Sequence, residues 1–226
     1  MMSFAEKKLS EIAISVPGST ALLREYDLDF CCGGETLLAV AAKAKNLDLA
    51  DIEKRLAELQ AGKQEDSEQR WLTADYAETI EHILHRYHER HRAQLQELIV
   101  LADRVESVHG DRADCPVGIA AELHNVYADL SNHMMKEEQI LFPMIKTGNY
   151  AMARMPIQVM EHEHAEHGEH LDVLKSLTNN LTPPADACNT WRALYSGIQE
   201  FMDDLMMHIH TENNILFPRV IAEGSR

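Results

Sequence analysis

A phrase of eleven residues occurs twice in this chain of 226. His133-Met-Met-Lys-Glu137-Glu-Gln-Ile-Leu-Phe-Pro143 returns 75 residues later as His208-Ile-His-Thr-Glu212-Asn-Asn-Ile-Leu-Phe-Pro218, so both copies read H-x-x-x-E-x-x-I-L-F-P. A His and a Glu four apart on a helix share one face. Apolar residues at 130, 140, 141 and 144 in the first copy, and at 205, 215 and 216 in the second, direct that face toward a core. A carboxylate in a core is costly unless paired, and two that face one another are costlier still. A metal ion supplies the positive charge such a pair lacks. The repeat therefore constrains chemistry as well as architecture.

Elsewhere apolar residues recur at helical spacing and Gly and Pro are scarce, which predicts an all-α chain. Residues 1–62 read as a small helical domain with helices over 9–16, 20–26, 35–45 and 49–59, and with Ser19 and Asp48 as N-caps. The polar, aperiodic stretch 63–70 reads as a linker. Residues 71–226 accommodate four long helices, over about 73–108, 116–148, 156–177 and 185–220. Pro116 suits a first turn, whereas Pro143 and Pro218 are expected to kink or close their helices. Short connections favour antiparallel neighbours and hence an up-down four-helix bundle.

The repeat is wider than the phrase. The first long helix carries His88-Glu-Arg-His91 and the third carries His164-Ala-Glu-His167; His88 precedes His133 by 45 residues, and His164 precedes His208 by 44. One helical hairpin is used twice, each copy giving a His and then an H-x-x-x-E. His88 continues the stripe of Ile80, Leu84 and Leu95; His133 and Glu137 interrupt the stripe of Leu123, Val126, Leu130 and Leu141; His164 lies with Ile157, Met160 and Leu171; His208 and Glu212 fall among Phe201, Leu205 and Ile215. A single His of this kind is most simply a satisfied buried group. Six polar residues at matched core positions in two repeats call for a metal.

The donors are imidazole and carboxylate without sulfur, which suits iron, manganese or zinc more than copper(I). A lone zinc needs only four ligands, whereas six inward donors suit two ions. Two irons are expected, with two His on each and with Glu137 and Glu212 bridging both, completed by an oxo or hydroxo group and leaving room for a small ligand. His91 and His167 read as supporting or exposed residues, and His82, His85, His162, His170 and His210 as a solvated face. Glu138 is set aside because only Glu137 has the spacing and a twin. Met134, Met135, Met206 and Met207 read as packing.

A second unusual element is Phe30-Cys31-Cys32-Gly33-Gly34, placed just before the predicted helix over 35–45. Thiols at a helix N-terminus ionise more readily and are better nucleophiles and metal ligands. Adjacent Cys make a poor disulfide, since their Cα atoms are only about 3.8 Å apart. Cys31 and Cys32 are therefore candidate thiol or transfer residues, against the plainer reading of two small buried residues before a turn. Cys115 and Cys188, single and near helix starts, read as structural.

Composition narrows the partners. With 37 Asp and Glu against 21 Lys and Arg, the chain carries a net charge of -16, which argues against nucleic acid or an anionic membrane surface. There is no run long enough to cross a bilayer and no signal-peptide pattern, and four Cys are too few for a disulfide framework, so a cytoplasmic location is expected. Dimerisation through the acidic surface is left open.

Taken together, Asp-Phe-Cys31-Cys32-Gly-Gly in a short N-terminal domain and the doubled H-x-x-x-E-x-x-I-L-F-P phrase resemble the bacterial iron–sulfur cluster repair di-iron proteins over nearly the whole chain. The resemblance implies a hemerythrin-like bundle whose di-iron centre is held by His88, His133, Glu137, His164, His208 and Glu212, with Cys31 and Cys32 as the family's cysteine pair. It implies a cytoplasmic stress protein that restores iron–sulfur proteins damaged by nitric oxide or oxidants, by iron donation, nitric oxide chemistry or both. Alternatives are a nitric oxide reductase-type redox enzyme and a hemerythrin-like module that binds or senses dioxygen, nitric oxide or iron. Oxygen-carrying hemerythrins use five His with an H-x-x-x-H pair, which the bundle here lacks, so reversible oxygen carriage is disfavoured.

Overall fold

Helices account for every element of the computed structural model, which describes residues 3–62 and 69–225. Most of the expected linker, residues 63–68, lies outside the described residues, and Gln69–Leu72 forms a single 3-10 turn. The first four helices are α1 (Leu9–Ser15), α2 (Ser19–Glu25), α3 (Leu38–Ala44) and α4 (Leu49–Ala61). They close over a core of Leu9, Ile12, Leu23, Leu38, Ile52 and Leu56, all buried. Each such side chain contributes about 1.5–3 kcal/mol by leaving water.

Two local expectations need correction. Asp48 caps α4 by accepting from the amides of Ala50 and Asp51, but Ser19 is no cap. Ser19 is the first helical residue of α2 and buried, its hydroxyl donating to the Ile12 carbonyl at 2.9 Å, while Gly18 takes the cap position at φ 77°. The helix expected over 35–45 starts only at Leu38. Leu9 donates to the Thr36 carbonyl and Leu38 to the Lys7 carbonyl, both at 2.9 Å, so strand-like pairing with residues 7–9 holds this stretch extended.

The bundle has four long helices: α5 (76–109), α6 (119–146), α7 (Tyr150–Leu177) and α8 (189–224). α5 packs against α6 and α8, and α7 against α6 and the last part of α8, which gives the antiparallel ring that the short connections predict. Leu98 and Ala102 on α5, Leu123 and Leu130 on α6, Ile157 and Leu174 on α7, and Ile198 and Phe201 on α8 fill its interior. α7 begins earlier than the expected residue 156, so Pro156 lies inside it. No described helix is long and apolar enough to cross a membrane.

Three of the four helices contain one wide π turn: Leu84–His88, Glu137–Leu141 and Thr211–Leu216. There the amides of Glu89, Phe142 and Phe217 reach back to the carbonyls of Leu84, Glu137 and Glu212. Pro143 and Pro218 follow two of these turns with one residue between, and of the two expected outcomes, kinking or closing, neither helix closes there. A proline normally loses a bond and collides with the carbonyl four residues earlier. The wide turn has already shifted that carbonyl ladder by one residue, so the ring is accommodated.

The N-terminal helices rest on α7 and α8. Lys175 pairs with Asp27 at 2.5 Å and Arg24 with Asp203 at 3.4 Å. More centrally, the side-chain amides of Asn213 and Asn214 donate to the carbonyls of Cys31 and Phe30, at 3.1 and 2.9 Å. Gly34 is required here, because a Cβ would lie 2.7 Å from the Phe30 carbonyl oxygen and 2.9 Å from Ser10 Cβ.

Candidate metal centre

His88, His133, Glu137, His164, His208 and Glu212 meet at the bundle axis, none more than 1% exposed. The three wide turns sit where they are needed: His88 ends one, Glu137 opens another, and Glu212 lies in the third. An extra residue in a turn re-aims the side chains beside it, which is how these long helices turn both carboxylates to the axis.

The six donors divide into two overlapping sets, His88, His208, Glu137 and Glu212, and His133, His164, Glu137 and Glu212, the ligand atoms of each lying within 4.8 Å of one another. His88 and His208 bring their Nε2 atoms to 3.2 Å, and His133 and His164 theirs to 3.1 Å. Oε2 of Glu137 stands 3.3 Å from His88 Nε2 and 3.4 Å from His133 Nε2. Glu212 stands 3.2 Å from His164 Nε2 and 3.3 Å from His208 Nε2. With metal–ligand bonds of about 2.0–2.2 Å, neighbouring donors on one ion fall about 3.0–3.4 Å apart. Proximity thus pairs the His residues, a pairing that sequence alone leaves open.

Charge supports the same fit. Among the described residues, none donates a hydrogen bond to the four oxygens of Glu137 and Glu212. Burial and the charge of Glu212 push the Glu137 carboxyl up, yet the adjacent imidazoles of His133 and His88 override them and hold it down at about 2. Burial opposes protonation of His88 and His133, but the carboxylates around them raise these imidazoles to about 9 and about 10. The polypeptide thus presents two buried anions that draw positive charge from whatever is nearest. Imidazole and carboxylate donors without sulfur suit a hard or borderline divalent or trivalent ion.

Outer partners fix three of the four rings. Nδ1 of His88 meets Glu138 at 2.8 Å, Nδ1 of His133 meets Glu163 at 3.0 Å, and Nδ1 of His164 meets Asn213 at 2.8 Å. Glu138 is in turn held by Arg92, and Glu163 by Lys136. Such partners orient a ligating ring and raise its donor strength. Nδ1 of His208 has no hydrogen-bond partner among the described residues; its ring is stacked on Tyr87 at 5.2 Å. Glu138, set aside on its spacing, lies outside both donor sets and meets His88 on the side of the ring away from the cluster.

The other His take different places. His91 and His167 are both buried, with ring centroids 5.3 Å from His208 and 4.9 Å from His133, and neither belongs to a donor set. His210, expected on a solvated face, is buried: it receives the amide of Asn214 at 2.8 Å and meets Phe30 edge-on. His85 and His162 are exposed as expected, and His170 bridges Glu122 and Asp129. Glu163 and Asn213 escape the sequence reading. Asn213 has a signal there, since it follows Glu212 as Glu138 follows Glu137.

The cysteine pair lies against this centre. Cys32 Sγ donates to the backbone carbonyl of His164 at 3.3 Å, and Cys31 and Cys32 line a cavity of about 450 Å³ with Asp29, Gly168 and Met206. The thiols do not stand at a helix N-terminus, because residues 31–37 are extended or turned before α3. Asp29 instead caps their loop, accepting from the amides of Cys31, Cys32 and Gly33. The hydrogen bond to Cys32, burial and the nearby Asp29 push the Cys31 thiol well above its ordinary range, which reverses the expectation of easy ionisation. Asp29, Cys31 and Cys32 nonetheless form a compact set of donors.

A doubled helical hairpin with a buried His/Glu cluster defines a hemerythrin-type cation-binding bundle. Residues 79–220 match the hemerythrin HHE cation binding domain, and residues 5–60 match a domain of unknown function, DUF542. The chain is 67% identical to the "Probable iron-sulfur cluster repair protein" of Haemophilus influenzae, over 98% of this chain and 100% of the relative. It is 57% identical to the iron-sulfur cluster repair protein YtfE of Musicola paradisiaca, over 97% of this chain and 98% of that protein, and 53% identical to YtfE of Escherichia coli O81, over 98% and 99%. The chain belongs to the iron–sulfur cluster repair protein family.

Proposed function

We propose that this protein repairs iron–sulfur clusters damaged by nitrosative or oxidative stress by giving up iron from a pair of ions held in the His/Glu cluster. One ion would be held by His88 and His208, the other by His133 and His164, and both by Glu137 and Glu212. Bound iron supplies a Lewis-acidic, one-electron redox centre with room for a small ligand such as nitric oxide or dioxygen. The protein's own part is to offer four donors to each ion, to keep the rings aimed through Glu138, Glu163 and Asn213, and to exclude bulk water.

The observation that carries the reading is the contact between Cys32 and His164. A structural metal site has no need of thiols, yet here Sγ sits 3.3 Å from the carbonyl of a ligand residue, on the wall of a cavity. Cys31 and Cys32 would receive the departing iron or touch the damaged cluster, which makes the iron–sulfur proteins themselves the partners. Glu137 and Glu212, placed between both pairs of His, would hold either ion and so suit a centre that gives one up.

Transfer of labelled iron from the loaded protein to a cluster-free acceptor tests this. Cluster recovery is expected with wild type and is expected to fall when Cys31 and Cys32 are both replaced by Ala. A centre that never yields iron would sink the donation reading. A second reading, a nitric oxide reductase-type activity, is favoured by the count of only four protein donors for each ion, and steady turnover of nitric oxide with an electron donor would support it instead.

A further inference from the structure

The two metal positions have alike donors and unlike supports, and the difference runs through one side chain. The residue after each shared Glu holds the same place in the two copies of the phrase, Glu138 in one and Asn213 in the other. Each grips Nδ1 of a ligand at 2.8 Å, Glu138 that of His88 and Asn213 that of His164. Glu138 is an anion anchored by Arg92, within the bundle. Asn213 is a neutral amide whose other end donates to the carbonyl of Cys31 at 3.1 Å. The Cys32 thiol meanwhile donates to the carbonyl of His164. His164 is thus tied to the thiol loop twice, through its ring and through its backbone. Among the described residues no hydrogen bond links His88 or His208 to that loop.

We propose that Asn213 is a positioning residue that couples the Cys31–Cys32 loop to His164, so that the ion held by His133 and His164 is the one exchanged through the thiols while the ion held by His88 and His208 is retained. The inference rests on the iron-donation reading and adds to it which position is mobile and which side chain makes it so. A displaced thiol loop pulls on Asn213 and on the His164 backbone, and both movements disturb the same ligand. An Asp at 213 would still accept from His164, and more strongly as an anion, but it could no longer donate to Cys31. It would make this position resemble its twin.

The test is release of iron to a chelator from protein loaded with two irons, in a background where Cys115 and Cys188 are Ser. Two phases of one iron each are expected, and alkylation of Cys31 and Cys32 with iodoacetamide should change the faster phase at least five-fold and leave the slower one alone. Asn213→Asp should slow the faster phase about ten-fold, the scale of a lost or gained outer partner, and abolish its response to alkylation. Glu138→Gln should accelerate only the slower phase. Unchanged phases in Asn213→Asp, or equal changes in both, would overturn the assignment.

A metal-free measurement guards against loss of loading. Asn213→Ala and Asn213→Asp, with helical content preserved, should raise the alkylation rate of the Cys31–Cys32 pair at least five-fold by releasing the loop. An unchanged rate would count against the coupling. Loaded wild type that releases no iron would sink donation but leave this thiol readout standing. Two-phase release that ignores Asn213 would do the reverse.

Discussion

Glu137 and Glu212 present carboxylate oxygens within 4.8 Å of each other at the bundle axis, both fully buried and, among the described residues, with no hydrogen bond to any of their four oxygens. Two such groups in a low-dielectric core repel one another strongly. Their mutual approach calls for positive charge between them, and four imidazoles bring nitrogen atoms to the same place.

Metal removal should therefore cost stability as well as function. An ion that binds the folded chain alone stabilises it by about 4 kcal/mol at a thousand-fold excess over its Kd. Scanning calorimetry of loaded and chelated protein should show a lower Tm after chelation. Glu212→Ala, which takes a donor from both positions, should melt at one temperature with or without chelator. Equal Tm for loaded and chelated wild type would contradict a metal bound at this cluster.

Asp204 offers a test away from the ligands. It joins α8 to α5 by accepting from Arg86 at 2.6 Å, Arg90 at 2.5 Å and Gln94 at 2.9 Å. Burial pushes its carboxyl up, but the hydrogen bonds of Arg86 and Arg90 prevail and hold it below its ordinary value. A depressed carboxyl contributes stability above its unfolded pKa, about 3.9, and that contribution is lost as pH falls through the folded value. Asp204→Asn should cost about 2 kcal/mol in urea denaturation at pH 7. The deficit should hold constant down to about pH 5 and shrink at lower pH. A deficit that grows on acidification would contradict this role.

Gly34→Ala should act on the thiol loop. Its Cβ would press on the Phe30 carbonyl and on Ser10, neither of which is a flexible side-chain end. A loss of about 1–3 kcal/mol is expected from the urea midpoint. Faster alkylation of Cys32 should accompany it, since the displaced loop is the one that holds the thiol against His164. A loss below about 0.5 kcal/mol would mean the loop has more room than the packing allows.

Pro143→Ala separates the wide turn from the proline that follows it. The amide of Phe142 already bonds to the Glu137 carbonyl, so the proline sits in a ladder prepared for it. The substitution should shift stability by no more than about 1 kcal/mol, mainly through the unfolded chain. Metal stoichiometry should stay at the wild-type value. A gain near 3 kcal/mol with altered metal content would show the proline to be the cause of the distortion.

What is legible in the sequence follows from range. His88, His133, Glu137, His164, His208 and Glu212 stand out because each sits on a helical stripe and each has a twin, so short-range periodicity and internal repetition carry the signal. The start of α3 is not legible, because Thr36 and Leu38 bond to Leu9 and Lys7 across the domain, and no local propensity reports that. His210 reads as a surface residue because its partners, Phe30 and Asn214, include one that is 180 residues away. Two of the three wide turns are marked only by Pro143 and Pro218, which read as kinks or ends rather than as evidence of a ladder already shifted, and the turn at Leu84–His88 has no such mark. Asn213 is within reach of an alignment of the two copies of the phrase, one position beyond the ligands.

The most direct measurement is iron content with Mössbauer spectra of anaerobically purified protein, wild type beside Glu137→Ala. Two irons for each chain, magnetically coupled in wild type and lost or uncoupled in the variant, are the predicted result. A single zinc, no bound metal, or an iron pair indifferent to Glu137→Ala would contradict a di-iron centre built on this carboxylate.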